Sequence, residues 1–433
     1  MLKRTRGIGI GSLILAGMLV NPVPGRSGDS CRSCHLELGD ELAAPVHAMD
    51  QNDIHASRNL SCADCHGGDP SAEDAEVAMS PGRGFIGVPS PNGIPQLCAR
   101  CHASPEIMRR YTVSLPTDQL EKYWTSKHGI ALKQGDRKVA TCVSCHGTHT
   151  IYAADNPKSS VWHASIPETC RKCHGEAALM SQYQLPSDTY EQYARSVHGT
   201  ALLERNDIGA PACNDCHGNH GAAPPGFETV AQVCRGCHPV NAEYFLKSPH
   251  KGAFDELGLP ECAACHNNHL ILKPSDDWLG VEGAHSCGQC HTEGDAGYAV
   301  ASMIRDWVDS LRVMEETAAA LVDKSLRRGI EVSEAQDALK EGQDALLKAR
   351  AIVHTVDINH VKETVQGGLV FARKALTLGQ AAWSDFEYRK RGLGIATIFI
   401  TVLIIAIWLK VRRIEKDQGG STAVFRHSDE KKP

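Results

Sequence analysis

Aromatic side chains are scarce in this chain. Phe, Tyr and Trp make up 5% of its 433 residues, too few to fill the interior of a domain this long without another bulky component. A basic surplus is also missing. The net charge is −6, and residues 26–300 hold 21 Lys and Arg against 33 Asp and Glu, which argues against a nucleic-acid surface and favours basic or neutral docking partners. Charge is absent altogether from Gly392 to Leu409, eighteen residues that as a helix would span about 27 Å, close to the thickness of a bilayer's hydrocarbon.

No cysteine stands alone either. All eighteen fall in nine copies of Cys-x-x-Cys-His: Cys31/Cys34, Cys62/Cys65, Cys98/Cys101, Cys142/Cys145, Cys170/Cys173, Cys213/Cys216, Cys234/Cys237, Cys262/Cys265 and Cys287/Cys290. The histidines that close them are His35, His66, His102, His146, His174, His217, His238, His266 and His291. Disulfides or zinc ribbons would not need a His directly after every second cysteine. The spelling is the attachment site of c-type haem, two thioethers on one side of a helical turn with the adjacent His beneath the iron. Nine covalent haems, each with its iron, are therefore expected.

The ends carry different signals. Lys3, Arg4 and Arg6 precede an apolar run from Gly7 to Val20, which reads as an export signal over residues 1–25. Residues 392–409 read as a transmembrane helix, flanked by Arg389-Lys390-Arg391 and by Lys410, Arg412, Arg413 and Lys416. Because both flanks are basic, the export signal sets the orientation: residues 26–297 outside, and 410–433 a cytoplasmic tail. The expected location is a bacterial inner membrane, crossed once, with the haem domain in the periplasm.

A longer repeat links the motifs. His128, His198 and His250 sit in Ser-x-His ahead of Cys-x-x-Cys-His-x-x-His, whose companions are His149, His220 and His269, and a plain motif follows. His47, fifteen residues before Cys62, looks like a degenerate earlier copy, as His198 precedes Cys213 by the same offset. The organisation is one single motif plus four pairs. Each extra His is a candidate second axial ligand, giving a low-spin, electron-transferring iron. A companion three residues past the proximal His stays on that haem's proximal side, so it should serve another iron. Seven distal ligands result (His47, His128, His149, His198, His220, His250, His269). Two more are sought among His55, His163, His285, His354 and His360, with His55 and His163 favoured by a shared His-Ala-Ser context.

After Gly294 the pattern becomes helical. Stripes through Ile304, Val308 and Leu311, through Ala335, Leu346 and Ile352, and through Val361, Val365 and Trp383 imply three antiparallel helices over 298–391, with breaks near Gly329 and Val356. That topology would bring His354 or His360 to the last haem, on Cys287 and Cys290. The expected fold is mainly α with much irregular structure: a multihaem domain, a helical hairpin region and one C-terminal transmembrane helix.

Paired motifs with interleaved Ser-x-His and Cys-His-x-x-His resemble the periplasmic multihaem c-type cytochromes of the doubled-motif group, related to the tetrahaem cytochromes of sulfate and metal reducers. The resemblance implies haems in close contact along a chain and an electron-relay role in anaerobic respiration, between a membrane quinol-linked complex and periplasmic or outer-membrane acceptors. Quinol-oxidising relatives carry their anchor at the N-terminus, whereas this one is C-terminal. The C-terminal helices also resemble those of the hydroxylamine-oxidoreductase group, which implies the alternative: an oxidoreductase for nitrite, hydroxylamine or a sulfur oxyanion at one five-coordinate haem. Relay is the leading expectation, with no catalytic residue assigned.

Overall fold

The computed structural model describes residues 29–225, 230–283 and 286–421. The residues expected to form an export signal, His285 and the end of the tail lie outside them. Helices dominate and no strand occurs among the described residues. The chain forms two compact units, one of residues up to 191 with 198–224, the other of 192–197 with 225 onward. The first holds six motifs and the second three. Each is described on its own.

The first unit is built from short helices of nine residues or fewer, apart from Asp40–Asn52. Its local order comes from turn chemistry. Ser126, 1% exposed, caps the helix Lys127–Lys133 by accepting the Gly129 N–H at 2.9 Å, while its own hydroxyl donates to Tyr123 O at 2.6 Å. Gly129 packs so closely on this turn that a Cβ would strike the Tyr123 carbonyl. The Ser-x-His-Gly string is therefore a helix start that aims its histidine.

The second unit ends in a stalk of three helices: Ala296–Leu326, Ser333–Ile352 and Ile358–Ser421. Ile304, Val308 and Leu311 of the first pack on Leu346, Ala349 and Ile352 of the second and on Val361, Val365 and Ala372 of the third. These are the stripes that the sequence periodicity marked, and the breaks fall where expected. Gly368 lets the third helix close on Leu311 and Ala345. A lower cluster of Val322, Ile330, Val332 and Ala335 is capped by Trp383 and Phe386. The third helix then continues without a break through 392–409, where the large apolar side chains are all exposed and mean hydropathy reaches 2.5, compatible with a single membrane span.

Polar clamps fasten the loop between the last two motifs to the stalk. Asp276 accepts Arg350 Nε and Nη2 at 2.8 and 2.7 Å, a bidentate pair. Arg305 Nη1 donates to the carbonyls of Asp276 and Leu279 at 2.7 and 3.3 Å. Trp278 is thereby held with its ring 5.5 Å from that of His266. Truncating Leu311, fully buried at the centre of the stalk, should destabilise it by about 2–5 kcal/mol. Thermal melting of Leu311→Ala followed by far-UV circular dichroism checks this, with the melting point expected to fall.

Candidate haem sites

The motifs come in two local geometries. The second, fourth, sixth and eighth are short helices, Cys62–His66, Cys142–His146, Cys213–His217 and Cys262–His266. Each is stopped directly after its His by a left-handed residue: Gly67, Gly147, Gly218 and Asn267, with φ of 72°, 81°, 78° and 62°. At Gly67 the turn also tolerates no Cβ, which would meet the Gly84 carbonyl. The third and fifth motifs instead finish the nine-residue helices Ile94–His102 and Ile166–His174, started by Pro95 and Pro167, both fully buried. This Ile-Pro repeat, Ile94-Pro95 and Ile166-Pro167, is legible in the sequence.

Six proximal histidines face a second imidazole. The ring centres lie 6.1 Å apart for His66 and His149, 6.0 Å for His102 and His55, 6.2 Å for His146 and His220, 6.1 Å for His174 and His128, 6.2 Å for His266 and His354, and 6.1 Å for His291 and His250. Two metal–imidazole bonds of about 2.0–2.1 Å, with the distance from each nitrogen to its ring centre, span about 6.2 Å. The residues thus fit one iron between each pair. Rings at the second, fourth and eighth motifs are near parallel, 18°, 6° and 22° apart, while those at the third, fifth and ninth are turned by 84°, 58° and 35°.

The electrostatics suit ligation by neutral imidazole. Burial pushes His146 down to about 4, reinforced by His220 and His102. Burial likewise lowers His102, His128, His149, His174, His220, His250 and His354. Several Nδ1 atoms are occupied from behind, leaving Nε2 for metal. His66 Nδ1 lies 2.8 Å from Gly87 O, His217 Nδ1 3.2 Å from Ala223 O, and His354 Nδ1 2.8 Å from Ala351 O. Carboxylates do this at His55, 2.9 Å from Asp53 Oδ1, and at His291, 3.2 Å from Asp295 Oδ1. Asp53 is buried, which works against its charge, but hydrogen bonds from the His55 ring and from the Ile151 and His55 N–H groups outweigh this and hold it below the usual carboxylate range.

The structure reassigns the start of the repeat. Asp53 caps the helix Ile54–Ser57 as Ser126 caps its own, and both place a histidine two residues on. The Ile54 N–H donates to Ile151 O at 2.8 Å, the Lys127 N–H to Ala222 O at 3.1 Å, and the Val197 N–H to Ile271 O at 2.9 Å. Each acceptor lies two residues past a companion, His149, His220 or His269. The copy that precedes Cys62 is therefore Asp53-Ile54-His55. His47, chosen on offset alone, is exposed on its helix and packs against no ring among the described residues. The signal was available, since Asp and Ser are interchangeable as helix caps.

Two other expectations differ. His354 faces His266 of the eighth motif, while the ninth is faced by His250. His360 packs on Tyr244, ring centres 6.4 Å apart. His163 turns its Nε2 to Ala210 O at 2.8 Å, with Asp215 3.8 Å from its Nδ1, so that ring faces a carbonyl and no proximal His. His198 and His269 hold the repeat positions of His128 and His149 and are engaged in contacts of their own.

Thiols of successive motifs adjoin in chain order. Within the first unit Cys31 lies in electrostatic reach of Cys62, Cys65 of Cys98 and Cys101, and Cys145 of Cys170 and Cys173. Cys98 adjoins Cys142, and Cys170 adjoins Cys213. In the second unit Cys234 adjoins Cys262, and Cys265 neighbours Cys287 and Cys290. First cysteines join each odd motif to the next, and within each unit second cysteines join each even motif onward. Were these sulfurs to carry haem, the pattern would bring consecutive haem edges together.

Eight of the eighteen expected haem cysteines are exposed: Cys34, Cys65, Cys145, Cys173, Cys216, Cys237, Cys265 and Cys290. Cys216 lies in electrostatic reach of Cys213, the first thiol of its own motif. The reason is the helical turn, which leaves the first cysteine of a motif partly covered by chain and turns the second outward, as at Cys65, Cys145, Cys173, Cys265 and Cys290. The polypeptide alone therefore does not close over Cys34, Cys216 or Cys237. A flat ring bonded across both sulfurs of each motif would lie against that open side.

A family model described as Cytochrome c3 matches residues 54–174, which contain the second to fifth motifs. The chain carries a multihaem c-type cytochrome domain. Covalently bound haem iron and electron transfer come with it. No curated protein and no solved structure matches the chain.

Removing a distal ligand leaves five-coordinate, high-spin iron. His55→Ala and His354→Ala should each create one high-spin site by EPR, and His47→Ala none. In the wild type, the crossed His55/His102 rings should give a low-spin signal with a larger maximum g value than the parallel His146/His220 rings.

Proposed function

We propose that this cytochrome is a membrane-anchored periplasmic electron relay with nine haems, one on each motif, working between a membrane quinol-linked donor and periplasmic or outer-membrane acceptors. The observation that carries the reading is the ordered adjacency of motif thiols, with an imidazole pair at six of the motifs. When bound, the haems supply the redox chemistry. The chain spaces them and offers a pair of axial imidazoles at six of the motifs.

The stalk supports the choice of partners. From Ile358 to Gly392 the third helix rises about 50 Å, and His354 sits at its far end. An ordinary tilt of about 20° shortens this little. With residues 392–409 in the bilayer, the His266/His354 site stands far above the lipid, beyond the reach of a membrane-dissolved quinol. A water-exposed redox partner suits that end.

A second reading has its own observation. Among the described residues no ring packs against His35, the half-buried proximal His of the first motif. An iron there would be the candidate five-coordinate site of an oxidoreductase acting on nitrite, hydroxylamine or a sulfur oxyanion.

Pyridine haemochrome quantitation and intact mass should both return nine haems per chain. A stop codon after Tyr388 should release a red, soluble protein from membranes. Adding nitrite or hydroxylamine to the reduced protein separates the readings: an unchanged spectrum supports the relay, and turnover at a stoichiometric high-spin haem would replace it with the enzyme.

A further inference from the structure

Asp53 is a buried carboxylate that caps a helix and also contacts the ring of a candidate distal histidine. In the structurally equivalent segment the cap is Ser126, a neutral hydroxyl that holds the Gly129 N–H. Asp53 brings a carboxylate whose side chain is 3% exposed. Its Oδ1 accepts the His55 N–H at 2.8 Å and lies 2.9 Å from His55 Nδ1, and its Oδ2 accepts the Ile151 N–H at 2.8 Å. Ile151 follows His149 by two residues, and its carbonyl accepts the Ile54 N–H. One side chain thus braces the segments that carry the distal ligands of two neighbouring motifs, the second through His149 and the third through His55.

The consequences differ for the two. For His149 the brace is a matter of position, passed through the backbone. For His55 it is also electronic, because a buried carboxylate accepting the Nδ1 proton makes the ring a stronger donor at Nε2. A stronger donor, and a fixed negative charge in a low-dielectric surround, stabilise ferric over ferrous iron. Asp295 stands in the same relation to His291, but its side chain is 40% exposed and the distance is 3.2 Å, so solvent screens it.

We propose that Asp53 is a positioning and tuning residue that gives the iron between His55 and His102 a lower midpoint potential than its structural equivalent between His128 and His174. This rests on the relay reading and deepens it. The third motif becomes a low-potential step between the second and fourth, with its depth set by one side chain outside the motifs.

The test uses the full-length protein and two variants, Asp53→Ser, which installs the cap of the equivalent segment, and Asp53→Asn, which keeps the shape and removes the charge. Potentiometric titration is followed at the EPR signal of the crossed ring pair and by total haem absorbance. The expected result in both variants is a positive shift of one haem's worth of the titration, with low-spin signals retained. Unshifted titrations in both would overturn the proposal. So would conversion of one haem to high spin in both, since Asp53 would then only hold its ligand in place. Failure of the underlying reading shows separately, in the wild type, as a low haem count or missing low-spin iron.

Discussion

The structure depends on one constraint: an iron held by the His of its own motif must take its sixth ligand from somewhere else in the chain. A residue one turn beyond the proximal His cannot swing to the opposite face, and His149 accordingly faces the second motif's His66 and His220 the fourth motif's His146. Each distal ligand arrives from 41 to 88 residues away along the chain, as the pairs His250/His291 and His266/His354 mark. Ligation at these pairs would do the work that strand pairing or helix packing does in other folds, closing long loops and holding distant segments side by side. Short helices suffice, because they need only present a sulfur pair or an imidazole at the right angle.

That constraint explains how the repeat ends. A companion His faces the first motif of the preceding pair, so the last pair, which no further companion follows, needs a substitute. The stalk provides it. His354 lies in the turn between the second and third stalk helices, with its Nδ1 2.8 Å from Ala351 O, and Trp278 backs the facing His266. The clamps at Asp276 and Arg305 hold that loop in register. The helical region thus contributes a ring to a candidate haem site, and its packing sets where His354 faces His266.

The haem chemistry was legible because it is written in contiguous residues, and the stalk because its period survives local variation. The distal ligands were harder to read for a physical reason. Spacing along an irregular chain is a weak guide to position, whereas a helix cap is a strong one: His47 had the right offset, but His55 had the cap, the cross-segment hydrogen bond and the facing ring. His354 was expected beside the last motif because helix topology places it at that end of the stalk. Topology fixes the end of a bundle and leaves open which of two adjacent irons the ring serves. Asp53 escaped notice because its effect lies in a side-chain hydrogen bond that no pattern of residue types announces.

The shortage of aromatics takes on its meaning here. In the first unit the buried apolar side chains among the described residues are Ala43, Val46, Met108, Leu132, Met180, Ala201, Leu202, Ala210 and Ala212, with Pro95 and Pro167. Four of these are alanines, which remove little surface from water. The stalk, by contrast, closes on Ile304, Val308, Leu311, Leu346, Ile352, Val361 and Val365 and can stabilise itself. A chain that must order some two hundred residues around so small a core has to bury something else, and the flat apolar rings attached at its cysteines, the outward-facing Cys34 and Cys216 among them, are the available surface. The stalk has a core of its own among its helices.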